Sequence, residues 1–339
     1  MVDAGAPSGA LALFGSADDG RAMHDDPIEA ALRWHGDGRA AALATVVETW
    51  GSAPRPVGSL LSVSDEAALV GSVSGGCVEG AVVAEALDAM DDGRHRMLEY
   101  GVSDDEAFAV GLACGGRIRI LLQPVDDALA AALRIVESRR AAAEAVGLLS
   151  DTETGQTMPT TALGDRVRAD RSGFEPDGRR FVTLFAPPLR LAVVGGVHVA
   201  QSLVPMARML GYAPTVIDPR EAFASTARFP GTVLVHDWPD EAMRAFAPDA
   251  RAAVVMLTHD PKLDDPALLV ALESPAFYIG ALGSTRTHAK RMERLVAAGL
   301  DAARLDRLDA PIGLDIGART PGEIAVAILG AMTQSLRRG

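Results

Sequence analysis

Two cysteines, each on a glycine-rich turn, are the residues of this chain best suited to chemistry. Cys77 lies in the run Ser74-Gly75-Gly76-Cys77-Val78-Glu79-Gly80, and Cys114 lies in Ala113-Cys114-Gly115-Gly116. Glycine permits positive φ and lets another molecule approach the main chain closely. An apolar stretch at 81–90 predicts a helix directly after Cys77, and a helix N-terminus attracts anions and favours a thiolate. The two turns are therefore candidates for sulfur chemistry or metal ligation, although a free cysteine is often only a small buried hydrophobic residue.

A second candidate site follows the strands of the C-terminal half. The run Gly195-Gly196-Val197-His198-Val199-Ala200 comes after an apolar strand, and Asp218-Pro219-Arg220 follows the next one. This spacing is typical of a dinucleotide site, in which the acidic side chain accepts a ribose hydroxyl. Val197, however, stands where the fingerprint has its second glycine. A β-branched side chain there is a steric objection to ordinary NAD binding.

Three further loops in this half end in polar or glycine residues. They are Thr258-His259-Asp260, the segment 280–286 with Gly283 and Arg286, and the segment 313–317 with Asp315. Open α/β sheets bind ligands outside the carboxyl ends of their strands, so we expect these loops to share one edge. Each of these residues taken singly also fits a role as a turn or helix cap.

The elements that must position these residues form two α/β parts. We predict a disordered tail at 1–25, an N-terminal α/β domain at 26–125, a connecting helix with short strands at 126–187, and a Rossmann-like domain at 188–335. In the last part, apolar strands at 189–194, 213–217, 232–236, 252–257 and 276–279 alternate with helical stretches, as a doubly wound parallel sheet requires. The predicted class is therefore α/β throughout.

Composition narrows the function classes. The chain has 339 residues and a net charge of −13, which opposes nonspecific binding to nucleic acid or to an anionic membrane. No apolar run approaches the length of a membrane span, and the two cysteines fit a reducing compartment, so we expect a cytoplasmic protein. The histidines and cysteines lack the spacing of a zinc site, and no G-x-S-x-G elbow of a serine hydrolase is present.

With these motifs identified, the chain resembles the XdhC/CoxI family, the maturation factors of molybdenum hydroxylases such as xanthine dehydrogenase. In the N-terminal domain the resemblance rests on the segment 51–55, on the Cys77 turn and on Cys114-Gly115-Gly116. In the C-terminal domain it rests on the His198 turn, on Asp218-Pro219-Arg220, on Thr258-His259-Asp260 and on the segments 280–286 and 312–323. The family pattern has a glycine at the position of Val197.

The resemblance implies a carrier of molybdenum cofactor, more a chaperone than an enzyme. Such a protein holds the cofactor, as molybdopterin or its nucleotide form, supports its sulfuration and delivers it to an apo-hydroxylase. The implied partners are the hydroxylase client and a cysteine desulfurase, and we also expect a homodimer. The residues predicted to contact the cofactor are Arg55, Gly75, Gly76, Cys77, Gly115, Gly195, Gly196, His198, Asp218, Arg220, His259, Gly283, Arg286 and Asp315.

Cys77 has a more specific hypothesis, as a ligand of molybdenum or a persulfide relay, with Cys114 as the second candidate. Two alternatives stay open at this point. An NAD(P)-dependent oxidoreductase would use the Rossmann domain catalytically, and Asp218 would favour NAD over NADP. A docking scaffold would join the sulfurase to the hydroxylase without an intact pocket.

Overall fold

Hydrophobic patterning divides the chain into two units, each with its own core. The computed structural model describes residues 26–51, 55–101 and 116–338. The division falls between Pro187 and Pro188. The predicted tail at 1–25, Cys114 and Gly115 lie outside the described residues.

In the N-terminal unit, a five-stranded antiparallel sheet has the order β3-β2-β1-β5-β4, and a four-stranded sheet has the order β7-β6-β9-β8. Its described strands are β1 (Ala41–Trp50), β2 (Leu60–Ser64), β3 (Leu69–Gly71), β4 (Arg96–Tyr100), β5 (Arg117–Pro124), β6 (Val146–Asp151), β7 (Thr157–Thr160), β8 (Gly173–Phe174) and β9 (Arg180–Phe185). Its described helices are α1 (Pro27–Gly36), α2 (Glu79–Asp92), α3 (Asp127–Ala141) and α4 (Arg166–Ala169).

Both faces of the five-stranded sheet are covered, which explains why β1 is a continuous apolar run. Residues of α1 and α3 pack with Leu43 on one face, whereas residues of α2 pack with Ala42 and Ala44 on the other. The predicted start of α1 is confirmed, because the Asp26 carboxylate accepts hydrogen bonds from the backbone N–H groups of Ile28 and Glu29. The helix predicted after Cys77 is α2 and begins at Glu79.

The C-terminal unit has a parallel sheet with the order β12-β11-β10-β13-β14-β15. Its strands are β10 (Leu189–Val194), β11 (Tyr212–Ile217), β12 (Val233–Val235), β13 (Ala252–Met256), β14 (Tyr278–Ala281) and β15 (Leu308–Asp309). Its helices are α5 (His198–Met209), α6 (Pro239–Phe246), α7 (Pro261–Glu273), α8 (Thr285–Ala297), α9 (Ala302–Leu305) and α10 (Pro321–Arg338).

Taken in chain order, this is the strand order 3-2-1-4-5-6 of Rossmann folds. The predicted doubly wound sheet is confirmed. Residues of α5 and α10 pack on one face, and residues of α6 and α7 pack on the other, so the inner strands are apolar on both sides. The sixth strand, β15, was missed because it is only two residues long. No helix in the described part of the chain is long and apolar enough to span a bilayer.

Candidate functional site

Strand register brings the predicted loops of the C-terminal unit to one edge of the sheet. Val194 pairs with both Ile217 and Met256, and Met256 pairs with Ala281. The residues that follow these four positions therefore leave the sheet side by side. The change of winding direction lies between β10 and β13, where open α/β sheets have their ligand crevice.

The two glycines after β10 are sterically required. Gly195 has φ +105°, and a Cβ there would lie 2.5 Å from the Cγ2 atom of Thr258. A Cβ on Gly196 would lie 2.5 Å from the carbonyl oxygen of Phe223. Val197 has φ −85° and ψ −179°, a conformation that a β-branched residue adopts without strain, and its half-buried side chain packs against the apolar cluster beneath α5 and α10.

The N-terminus of α5 is open to an anion. Val197 provides no side-chain hydrogen bond to the first turn, and His198, the first helical residue, is exposed. By contrast, the Asp260 carboxylate caps α7 and the Ser284 hydroxyl caps α8. The free N–H groups of an uncapped first turn, together with the helix dipole, attract phosphate and carboxylate groups.

Asp218 is a structural anchor of this edge. Its buried carboxylate accepts hydrogen bonds from the backbone N–H of Gly196 (2.9 Å) and of Arg220 (3.0 Å), and from Arg220 Nε and Nη2 (2.8 Å each). Burial alone would raise the pKa of Asp218, but these hydrogen bonds hold the pKa below its usual value. A carboxylate has about four acceptor sites, so none is left for a ribose hydroxyl.

Two arginines hold the loop that follows β11 against the glycine turn. The Arg220 guanidinium lies 4.0 Å from the ring centre of Phe223, and that of Arg228 lies 5.7 Å from it. Arg228 Nη1 also donates to the carbonyl oxygens of Gly196 and Phe223, at 2.6 Å each. Arg228 was missed at the sequence level, because nothing in the local pattern distinguishes it from a surface arginine.

The remaining predicted residues of this unit lie on exposed or half-exposed loop and helix positions. His259 follows β13 and is exposed, as is Arg286 in the first turn of α8. Gly283 is half-buried directly before the α8 cap. Asp315 is exposed on the loop between β15 and α10.

In the N-terminal unit, the Cys77 turn is built as its glycines require. Gly75 and Gly76 have φ of +76° and +111°, conformations that strain other residues. Cys77 is half-buried and packs against the apolar cluster beneath α2. Arg55 joins this turn, since its Nε donates to the carbonyl oxygen of Ser72 at 3.3 Å. The structure therefore brings together the predicted residues of this unit that it describes.

Glu79 fixes the conformation of the Cys77 turn. Its carboxylate accepts hydrogen bonds from the hydroxyls of Ser72 and Ser74 and from the backbone N–H groups of Val73, Ser74 and Gly76. Burial opposes ionisation, but the hydrogen bonds outweigh it and lower the pKa of Glu79 to about 2. Within the described ranges, no group of three or more His, Cys, Asp or Glu side chains is placed to hold a metal ion.

With both sites defined, the comparisons with known proteins are decisive. A model of the XdhC and CoxI family matches residues 34–101, and a model of the XdhC Rossmann domain matches residues 191–332. The molybdenum cofactor insertion chaperone PaoD of Escherichia coli K12 is 32% identical over 314 residues, covering 92% of this chain and 87% of PaoD. The chain belongs to the XdhC and CoxI family.

Two other relatives of this XdhC/CoxI-family chain agree with that assignment. A probable xanthine dehydrogenase component from Bacillus subtilis 168 is 26% identical, covering 89% of this chain and 95% of its own. A crystal structure described as a xanthine dehydrogenase from Bacillus halodurans superposes with a TM-score of 0.71 at 25% identity, covering 93% of this chain and 97% of that one. The resemblance and the fold class that we derived from sequence are confirmed.

A buried ion pair of this family member lies next to the glycine turn. Asp264 accepts a hydrogen bond from the Thr258 hydroxyl, and its Oδ2 lies 3.4 Å from Arg291 Nη2. Both charged side chains are 2% exposed. Burial raises the pKa of Asp264 to about 6, because it outweighs the Thr258 hydrogen bond and the attraction of Arg291. Sequence reasoning missed this pair, although the i, i+4 spacing of Arg291 and Leu295 places both on one face of α8.

We expect this carboxyl to give the protein a stability that increases as the pH falls. The pKa of Asp264 rises from about 4 in the unfolded chain to about 6 in the folded one, so ionisation above pH 6 destabilises the fold. Relative to Asp264→Asn, the wild type should gain on the order of 2 kcal/mol of unfolding free energy between pH 7 and pH 4. Urea denaturation at several pH values measures this, and a difference independent of pH would contradict it.

Proposed function

We propose that this protein binds molybdenum cofactor, protects it during sulfuration and delivers it to a molybdenum hydroxylase of the xanthine dehydrogenase type. The observation that carries the proposal is the uncapped N-terminus of α5 behind the two required glycines, at the ligand crevice of the Rossmann sheet. The cofactor is a pterin dithiolene with a phosphate, in some forms extended by a nucleotide. It therefore needs an anion site of this kind.

The long match to a molybdenum cofactor insertion chaperone supports the same function. We propose a cysteine desulfurase as the sulfur donor, the hydroxylase as the client and a homodimer as the working form, in the cytoplasm. On this proposal the protein is a carrier and has no turnover of its own.

We assign the anionic end of the cofactor to the α5 turn, with His198 and Arg220 beside it and with His259, Gly283, Arg286 and Asp315 as the further contacts predicted for this edge. Arg220 still exposes 43% of its side chain, so its guanidinium can contact a ligand while it holds Asp218. In the N-terminal unit we assign Cys77 as a thiolate ligand of the molybdenum, with Arg55, Gly75 and Gly76 shaping its turn and Cys114 and Gly115 as the second candidate turn.

An NAD(P)-dependent oxidoreductase has less support. The dinucleotide interpretation of Asp218 needs a free carboxylate oxygen, but Gly196 and Arg220 occupy its acceptor sites. Val197 also leaves less room over the turn than the glycine of the dinucleotide fingerprint.

Cofactor retention by purified variants tests the proposal. We expect the wild type to retain pterin near stoichiometrically after ultrafiltration, as read from pterin fluorescence after oxidation. His198→Glu should reduce retention about tenfold or more, because a carboxylate at the helix N-terminus competes with the anion. Cys77→Ser should accelerate cofactor loss.

The matched control is Glu241→Gln in the first turn of α6, which changes a charge at a helix start of the same unit away from the glycine turn. Folded wild type without retained pterin would contradict the proposal. Retained NADH in its place would favour the oxidoreductase, and retained partner binding without either ligand would favour the scaffold.

A further inference from the structure

The first turns of α8 contain hydrogen-bonding capacity that the fold does not use. Among the described residues, the buried side-chain nitrogens without a partner include His288 Nδ1, Arg291 Nε and Arg291 Nη1. His288 and Arg291 are three positions apart, so they are neighbours on one helix face. Burial and the nearby Arg291 charge lower the pKa of His288, which leaves its ring neutral at pH 7.

Arg291 is the more unusual of the two, because a buried guanidinium normally uses its five donors. Its side chain is 2% exposed. Nη2 donates to the carbonyl oxygen of Leu282 at 2.9 Å and lies 3.4 Å from Asp264 Oδ2. Both contacts use the same nitrogen, so Nε and Nη1 face the protein interior without an acceptor. Burying polar N–H groups in this state is costly, and such groups in native proteins call for an explanation by function or by an unseen ligand.

The unpartnered nitrogens face the loop that leads into α8. Helical side chains point back toward the N-terminus, and the Leu282 contact places the guanidinium beneath this loop. A Cβ on Gly283 would lie 3.8 Å from Arg291 Nη1 and 3.3 Å from the Cβ of Thr287. The missing side chain of Gly283 thus leaves a space between the loop, the first turn of α8 and the guanidinium. The dipole of this 13-residue helix adds positive potential at the same place.

We propose that the α8 phosphate site, defined as residues 283–287 with Arg291, binds a phosphate monoester. The backbone N–H groups of the first turn and the hydroxyls of Ser284 and Thr287 surround the phosphate oxygens, and Arg291 Nε and Nη1 donate to them from below. Exposed Arg286 stands at the entrance. The inference deepens the proposed function and rests on it for the source of the phosphate, which is the pterin cofactor.

Calorimetric titration with inorganic phosphate tests the site without any pterin. Equal ionic strength of sodium chloride gives the baseline. We expect the wild type to bind phosphate and Arg291→Met to bind it at least about tenfold more weakly, because two charge-assisted hydrogen bonds are lost. Arg294→Met is the matched control: it lies on the same helix and also removes an arginine paired with an aspartate, in this case the more exposed pair with Asp265. It should bind phosphate as the wild type does.

Hydrogen exchange keeps the test independent of how well Arg291→Met folds. In the wild type, phosphate should protect the amides of residues 285–288 from exchange. Unchanged exchange at these amides, or equal phosphate affinity of wild type and Arg291→Met, would overturn the inference.

Pterin retention separates this inference from the proposed function. Pterin retained equally by the wild type and by Arg291→Met would refute the α8 phosphate site and leave the carrier function standing. Phosphate bound at α8 by a protein that retains no pterin would support the site and refute the pterin as its ligand.

Discussion

Glu79→Ala is expected to lower the free energy of unfolding by on the order of 3–5 kcal/mol, because it leaves several buried donors without an acceptor at once. Two serine hydroxyls and three backbone N–H groups donate to this one carboxylate. Glu79→Gln should cost nearly as much, since its amide NH₂ would face donors in place of an acceptor oxygen. Urea denaturation of the purified protein measures both variants.

The Cys77 turn should lose its conformation in the same variants. Mass spectrometry of the Cys77 peptide should show faster labelling by iodoacetamide, and cofactor retention should fall with it. Glu85→Ala is the control on the same helix: Glu85 is 42% exposed in its pair with Arg96, so we expect a loss below about 1 kcal/mol. A stable Glu79→Ala protein with unchanged labelling would show that the turn is held by other contacts.

The stabilisation by Glu79 should also depend on pH in a defined window. Its pKa falls from 4.5 in the unfolded chain to about 2 in the folded protein. A carboxyl with a lowered folded pKa stabilises fully above the unfolded value, and the effect disappears as the pH falls through the folded value. The wild type should therefore lose its advantage over Glu79→Gln between pH 4.5 and pH 2.

The sequence could predict the Rossmann unit because its signals are local and strong. Apolar strands buried on both faces read as continuous apolar runs, and Asp26 with Pro27 marks a helix start as the capping preference dictates. The short strand β15 has no such run, and its two residues join the sheet only through pairing with β14. Local patterning cannot indicate an element of that length.

The candidate sites were predictable in position but not in the roles of their residues. The carboxyl edge of the sheet follows from chain order, so Gly195, Asp218 and His259 could be placed there from sequence. That Asp218 uses its carboxylate to hold Gly196 and Arg220 depends on a turn whose geometry no spacing encodes. Arg291 is similar, because its partner Asp264 is 27 residues away on another helix.

Asp218→Asn is expected to be the most damaging single change at the Rossmann edge. The amide keeps one acceptor oxygen and turns an NH₂ group toward donors of Gly196 or Arg220, and the Arg220 charge loses its buried counterion. Breaking a buried, hydrogen-bonded pair in this way costs about 3 kcal/mol of stability. We also expect pterin retention to fall at least about tenfold, because the glycine turn and Arg220 are no longer fixed.

The control for Asp218→Asn is Asp240→Asn, which removes a surface pair with Arg244 on α6 and should change stability by less than about 0.5 kcal/mol. Thermal unfolding and pterin fluorescence give the two readouts. The result also separates the anchor from the dinucleotide interpretation of Asp218. An anchor loses stability in the absence of any ligand, whereas a ribose acceptor would lose NADH affinity in a protein of unchanged stability. A stable Asp218→Asn protein that has lost NADH binding would therefore return the oxidoreductase to first place, since it would mean that the carboxylate is free to meet a ligand.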